Sequence, residues 1–278
     1  MKDFLHEAVS LLRSIHVPSL PEEIIRLKEE LNKKYPNTVT IARLISKNPE
    51  ILNHFLKLVN ANLTDTDEYI RDAQAAVNIL GMQEIYNIFT ASAFSRFIAK
   101  TTAERDILKH GAKTGVVAAE LASFTGTVTR SEAYLAALAQ NMGAIFLLRL
   151  ERDGYEETFF QQMAWPFKAY LEEAKIMQTT HAYAGVIVAR KWDMPADIYQ
   201  AILLHHDEQF IGKTANHPKV RILVALIMMS NYLVSASLGE NYMTSEIKRM
   251  RQLAQTVLEL PNTATRSATN MLLKYCDK

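Results

Sequence analysis

The sequence predicts an all-α protein, and two patterns carry that expectation. Apolar residues recur at three- and four-residue spacing along almost the whole chain, while the alternation of a half-buried strand is almost nowhere found. The nine glycines are scattered, and no Asn-Gly or Asp-Gly pair stands between strand-like flanks to turn a hairpin.

The elements follow in order. MKDFLHEAVSLLRSIH breaks its apolar residues with Asp3, Glu7 and Arg13, which reads as an amphipathic helix and not as a secretory signal. Pro18 and Pro21 mark a turn, and Pro21-Glu22-Glu23 opens a helix to about Lys34, with proline and acids where the helix dipole favours them. Tyr35-Pro36-Asn37 stops it, Thr38 is placed to cap IARLISK, and Asn48-Pro49-Glu50 starts ILNHFLKLVNA. Residues 62–69, NLTDTDEY, read as a polar turn. Asp72 opens a helix that should end with Gly81 as its C-cap, and another runs from about Gln83 to Lys100.

TTAERD breaks the chain near Thr101 before a helix carrying His110, Gly111 and Gly115. Thr129 and Glu132 form a capping box, which puts YLAALAQNMGAIFLLRL on one helix, apolar nearly all round and therefore buried. Trp165-Pro166 opens a helix to about Met177, and Thr179 or Thr180 caps HAYAGVIVARKW. The loop DMPAD then leads into IYQAILLHHDEQF. A helix around Ile222, one capped by Thr244 and one from about Asn262 complete the chain. Three segments are expected: a helical first half over residues 1–100, a second over 101–214, and a C-terminal extension over 215–278.

Composition narrows the function. Lys and Arg number 31 against 30 Asp and Glu, so no long-range field gathers phosphate backbones or anionic lipid, and no nucleic-acid partner is expected. KRMR at 248–251 is the wet side of an amphipathic helix and has no interleaved aromatics. The single cysteine, Cys276, excludes an internal disulfide framework and fits a reducing, cytoplasmic setting. The uncharged run from Ile222 to Gly239 is long enough for a membrane span, but Ser230, Asn231, Ser235 and Ser237 make it a core helix, so no span is expected.

The familiar chemical motifs are absent: no phosphate-binding glycine loop, no Gly-x-Ser-x-Gly, no His-Glu-x-x-His and no Cys-x-x-Cys. What stands out is histidine inside apolar helices, at His110, His181 and the pair His205-His206, followed by Asp207. Such residues are usually core histidines bonded to a neighbour, and on one continuous helix His205 and His206 point about 100° apart. Ala184 and Gly185, one turn after His181, would let another backbone approach its face.

Several segments together carry a resemblance. VPSLPEEIIRL at 17–27, IARLISKNPEIL at 41–52, LVNA at 58–61 and IRDAQAAVNILGMQEI at 70–85 resemble the first half of an HDOD domain, the output domain related to HD phosphohydrolases. LKHGAKTGVVAAELA, YLAALAQNMGAIFLLRL, THAYAGVIVARKWDMPADI and AILLHHD are similar to its later segments in order and spacing, so the likeness covers roughly residues 10–210. It implies a compact multi-helix HD-like bundle with an N-terminal helical subdomain, in a bacterial signal-transduction component.

The departure from the HD pattern is the most informative feature. In HD enzymes the middle of the YLAALAQNMGAIFLLRL helix carries adjacent His and Asp that hold metal; this chain has Gln140 and Asn141 there. Amides supply neither the negative charge nor the imidazole nitrogen such a centre needs. The resemblance then implies a degenerate pocket of His110, Gln140, Asn141, His181, His205, His206 and Asp207, with no catalytic residue, no cofactor and no bound metal. Gln140 and Asn141 are expected to bond to His110 and to the helix bearing His205 and His206, as a polar plug. The function that follows is a non-catalytic regulatory module with a protein partner in a signalling pathway, or a small ligand in the pocket. The competing reading is a metal-dependent phosphohydrolase acting on a nucleotide or cyclic dinucleotide through the remaining histidines.

Overall fold

The computed structural model describes residues 2–63, 69–239 and 243–276, which are helical almost throughout and contain no strand. The chain begins with α1 (Lys2–Arg13), α2 (Glu22–Leu31), α3 (Thr38–Ser46), α4 (Pro49–Leu58), α5 (Ala73–Ile79) and α6 (Met82–Phe97). It continues through α7 (Thr102–Ala122), α8 (Arg130–Ala139), α9 (Met142–Leu148), α10 (Tyr155–Gln161), α11 (Lys168–Met177), α12 (His181–Lys191), α13 (Ala196–Leu204) and the short α14 (Phe210–Lys213). It closes with α15 (Pro218–Leu238), α16 (Ser245–Gln255) and α17 (Asn262–Cys276). Within the expected turn at 62–69, residues 64–68 lie outside the described residues, and 59–63 form a π turn that continues α4.

Side-chain caps set several of the helix starts. Asp72 accepts from the Ala75 amide, Thr101 from Glu104, Thr244 from Ile247, and Asn48 from Glu50 and Ile51. The Thr129–Glu132 box forms as expected. Two caps in the first half of the chain differ from the sequence reading. Asn37, not Thr38, caps α3 by accepting from the Thr40 amide, because Asx oxygens reach that position from one residue earlier. Gly81 does not end α5 in a left-handed conformation. Leu80 has already left the helix with ψ of 148°, and Gly81, at φ −67°, starts α6 with its amide on the Glu84 carboxylate.

The core sits around α7 and α8. All the residues from Ser131 to Ala139 are buried, as the all-round apolar pattern predicts, and α8 packs against α6, α7, α13 and α15. Gly111 lets α7 approach the Leu138 carbonyl, where an added Cβ would lie 2.5 Å from the oxygen. A buried ion pair fastens the end of α9 to the start of α7: Arg149 Nε meets Glu104 Oε1 at 2.9 Å, and the same guanidinium donates to the Ile98 carbonyl at 2.6 Å. The apolar α15 is a core helix, with 72% of its most apolar stretch buried. It lies against α7, α8, α13, α16 and α17.

Candidate functional site

Two interruptions of helix shape the site. YLAALAQNMGAIFLLRL is not one helix: α8 stops at Ala139, Asn141 leaves helical geometry at φ −104° and ψ 13°, and α9 starts at Met142. The side-chain amides therefore stand in a break between two buried helices. Gly143 follows two residues after the break and brings α9 against α12. Its α-carbon faces α12 so closely that a Cβ would lie 2.0 Å from the His181 carbonyl oxygen and 2.4 Å from the Gly185 nitrogen. That contact is the close approach at Gly185 foreshadowed by the sequence.

The second interruption is at the end of α13. The helix stops at Leu204, so His205 and His206 are not held 100° apart on one continuous helix; their ring centroids are 4.2 Å apart. Both face His181, whose ring lies 5.2 Å from that of His205 and 5.1 Å from that of His206.

The amide half of the pocket is a closed hydrogen-bond network, with partners different from those expected. Gln140, only 1% exposed, donates to Thr114 Oγ1 at 2.9 Å and to the Ala137 carbonyl at 3.1 Å. Its Oε1 accepts from Asn231 Nδ2 at 2.8 Å, and Asn231 Oδ1 lies 2.9 Å from His110 Nε2. Gln140 thus reaches His110 through Asn231 on α15 and makes no hydrogen bond to the 205–206 segment. Asn231 closes the circuit because α15 crosses both α7 and α8 here. Asn141 behaves differently: its Oδ1 is buried and has no partner.

The imidazole half is organised by Glu173, a residue the sequence reading missed. Its carboxylate is fully buried and receives four hydrogen bonds: Tyr155 hydroxyl at 3.1 Å, Gln162 Nε2 at 3.1 Å, the His181 amide at 2.8 Å and His181 Nδ1 at 2.7 Å. The amide contact caps α12, a task the sequence assigned to Thr179 or Thr180; Thr180 instead donates to the Tyr170 hydroxyl. The far nitrogen of His181 lies 3.2 Å from His205 Nε2, and His205 Nδ1 is 2.7 Å from the Ile202 carbonyl. Burial, reinforced by His181, holds the His205 pKa down to about 3, and burial also depresses His206 well below the ordinary value. His206 stacks on Tyr170 at 4.8 Å, and its Nδ1 is buried with no hydrogen-bond partner among the described residues.

A small cavity of about 20 Å³ separates the halves. His110, Gln140, Asn141, Gln162, His206 and Asn231 supply its polar lining, and residues including Met163, Pro166, Ile247 and Met250 its apolar wall. The C-terminal helices thus contribute directly to the pocket. Glu246 of α16 accepts from the Phe167 and Lys168 amides at 2.8 and 3.1 Å, where the sequence had placed a Trp165-Pro166 helix start.

Asp207 sits elsewhere: its carboxylate pairs with Lys213 and accepts from the Gln209 amide at 2.8 Å, starting the next turn. Lys109, an exposed cation, pairs with Asp106 at 3.0 Å. In the KRMR stretch, Arg249 meets Glu208 at 3.3 Å and Arg251 lies over the Tyr232 ring. These residues do not fit the paired-ion centre of HD enzymes. Gln140 and Asn141 are neutral amides, Asp207 is committed to Lys213 and Glu173 to four donors, so among the described residues none of these is left as a bridging carboxylate.

A helical bundle that brings a broken central helix and a His-His turn onto one pocket defines an HD-like domain. The family model of the HDOD domain matches residues 17–208, and the chain belongs to that family. Its fold is that of an HDOD domain protein of unknown function from Geobacter sulfurreducens, with TM-score 0.68, 16% identity, and 99% and 94% of the two chains covered. A Shewanella amazonensis protein provisionally assigned as a phosphohydrolase gives TM-score 0.64 at 17% identity, covering 96% and 99%. A Marinobacter aquaeolei protein provisionally assigned to signal transduction gives 0.65 at 16%, covering 99% and 63%. An uncharacterised protein of Treponema pallidum is 23% identical over 197 residues, which are 69% of this chain and 38% of that relative.

Proposed function

We propose that this chain is a non-catalytic HDOD signalling module of the bacterial cytoplasm, acting by binding a protein partner or a small ligand. The observation that carries the reading is the carboxylate count: the acidic groups near the imidazoles are occupied, and the His-Asp position is filled by two neutral amides, of which Gln140 is held in hydrogen bonds. Phosphoester hydrolysis through paired ions needs a negative bridge between them and a water activated by both charges. Here the neutral Asn141 stands at the position of that carboxylate, and its neighbour Gln140 is bonded to Asn231.

The assignments of the relatives support the class, since they span signal transduction and phosphohydrolysis on one fold. Fold alone does not choose between these, and the neutral amides at the pocket support the non-catalytic reading. The test is turnover of bis(p-nitrophenyl) phosphate and of cyclic dinucleotides by protein loaded with manganese or ferrous iron. The expected rate equals that of the His205→Gln variant. Metal-dependent turnover that this substitution abolishes would favour the phosphohydrolase reading instead.

A further inference from the structure

The C-terminal extension carries a cleft that lies outside residues 17–208 of the family match. We infer that this cleft, between α15, α16 and the connection leading into α17, docks a peptide segment of a partner protein in which one carboxylate side chain stands beside an apolar one. Such docking deepens the reading above, and rests on it, since it gives the protein partner a surface and a chemistry.

Three observations carry it. The first is space. The cleft measures about 380 Å³, within the usual range of a ligand site. Tyr232 of α15 and Arg251 and Gln255 of α16 supply polar lining, and Met229, Leu233, Leu260 and Pro261 supply apolar lining.

The second is the state of Arg251. Its Nη1 donates to the Tyr232 hydroxyl at 3.1 Å, and its guanidinium carbon lies 5.1 Å from the centre of the same ring. These contacts hold the side chain at the cleft and occupy one corner of the guanidinium. Arg249, two residues earlier, pairs with Glu208, whereas Arg251 meets no carboxylate among the described residues. Its Nε–H and Nη2–H are left as a parallel fork, the arrangement that meets both oxygens of a carboxylate at once. The Tyr232 hydroxyl accepts from Arg251 and so keeps its own hydrogen to donate to the same anion. A guanidinium held in advance by a ring and a hydrogen bond loses little freedom on binding, which favours the complex.

The third is the order of charge along the α16 wall. Gln255 follows Arg251 by one helical turn, and Glu259 comes four residues later, past the end of the helix. The wall runs from a cation through a neutral amide to an anion, and Glu259 has no cationic partner among the described residues. A second acid laid along this wall would meet Glu259. The cleft therefore selects a single carboxylate at Arg251, followed by a side chain that settles on the apolar lining, and discriminates against a polyacidic segment.

The test is a titration of the full chain, labelled at nitrogen and at methyl groups, with the acetylated and amidated peptide Gly-Leu-Asp-Leu-Gly. Saturable shifts should appear at the Arg251 Nε–H and at the Met229 and Leu233 methyls, with Kd on the order of 1 mM. The same peptide with Asn for Asp should bind at least about 10-fold more weakly, and so should the Asp peptide to Arg251→Lys, which keeps the charge and loses the fork. A peptide with Asp-Asp for Asp-Leu should bind the parent more weakly than the Asp peptide does and recover in Glu259→Gln. Equal affinity for the Asp and Asn peptides, unchanged affinity in Arg251→Lys, shifts centred away from the cleft or no saturable shift would overturn the site. Should Arg251→Lys fail to fold, the comparison of the Asp and Asn peptides on the parent still decides. Failure of the two readings is separable: no peptide bound at the cleft, in protein without metal-dependent turnover, removes the docking surface alone, whereas phosphodiester turnover with peptide binding intact removes the non-catalytic reading alone.

Discussion

On one side of the pocket Gln140, Asn231, Thr114 and His110 answer one another's hydrogen bonds; on the other, Glu173 fixes His181 while His206, Asn141 and Gln162 each keep an atom unanswered. Both sides are polar and largely buried. The difference teaches how a closed network and an incomplete one are told apart: in the first each polar group answers another, whereas in the second firmly held rings and amides leave buried lone pairs without donors.

The comparison can be broken most forcefully where the two sides meet. Gly143→Ala drives a methyl into the His181 carbonyl, and the chain should lose more than about 4 kcal/mol or fail to fold, read by denaturant unfolding. Removing the carboxylate that organises the imidazole side comes next. Glu173→Ala strands Tyr155, Gln162 and the α12 amide in the core and should cost roughly 3–5 kcal/mol. On the amide side, Gln140→Leu and Asn231→Leu should each cost about 1–3 kcal/mol. The double substitution should cost less than the sum, because each single change already orphans the other amide; strict additivity would show that the network is not coupled.

Acid should act in the same direction on both sides of the molecule. His54 is held down to about 4 by burial and by Arg96 and Lys57, and His205 to about 3 by burial and His181. Each takes up a proton more readily when unfolded, so the stability it lends is present above about pH 6.5 and is lost as pH falls towards the folded value. In metal-free protein, His54→Gln should flatten the decline of melting temperature between about pH 6.5 and 4; an unchanged slope would contradict the assignment. The smallest effect is at the surface, where Lys109→Ala should change stability by less than about 0.5 kcal/mol despite its Asp106 partner.

The sequence made the class, most of the helix starts and the buried character of α8 and α15 legible, because caps and apolar spacing are local signals. It also placed His110, Gln140, Asn141, His181, His205 and His206 close to one pocket. What it could not show was tertiary. The break at Asn141 has no proline at it and lies two residues before the contact of Gly143 with α12, and the end of α13 at Leu204 follows no proline or glycine. Glu173 lay unnoticed in KAYLEEAKIM, where two adjacent glutamates look like a solvated face. One signal was available: Ala169, Glu173 and Met177 recur every four residues, which puts Glu173 on an apolar stripe. Asn231 stood out only as a polar residue in an apolar helix, and its partnership with Gln140 spans 91 positions.

The contrast between the two sides is tested most directly by nitrogen-15 spectra of histidine-labelled protein with and without the Gln140→Leu substitution. In both, His205 should show a protonated Nδ1 and a bare Nε2. The substitution should shift the ring nitrogens of His110, which Gln140 reaches through Asn231, and leave those of His205 and His206 in place. Spectra in which His205 and His206 move with His110, or in which none of the three moves, would contradict the division of the pocket into a closed half and an open one.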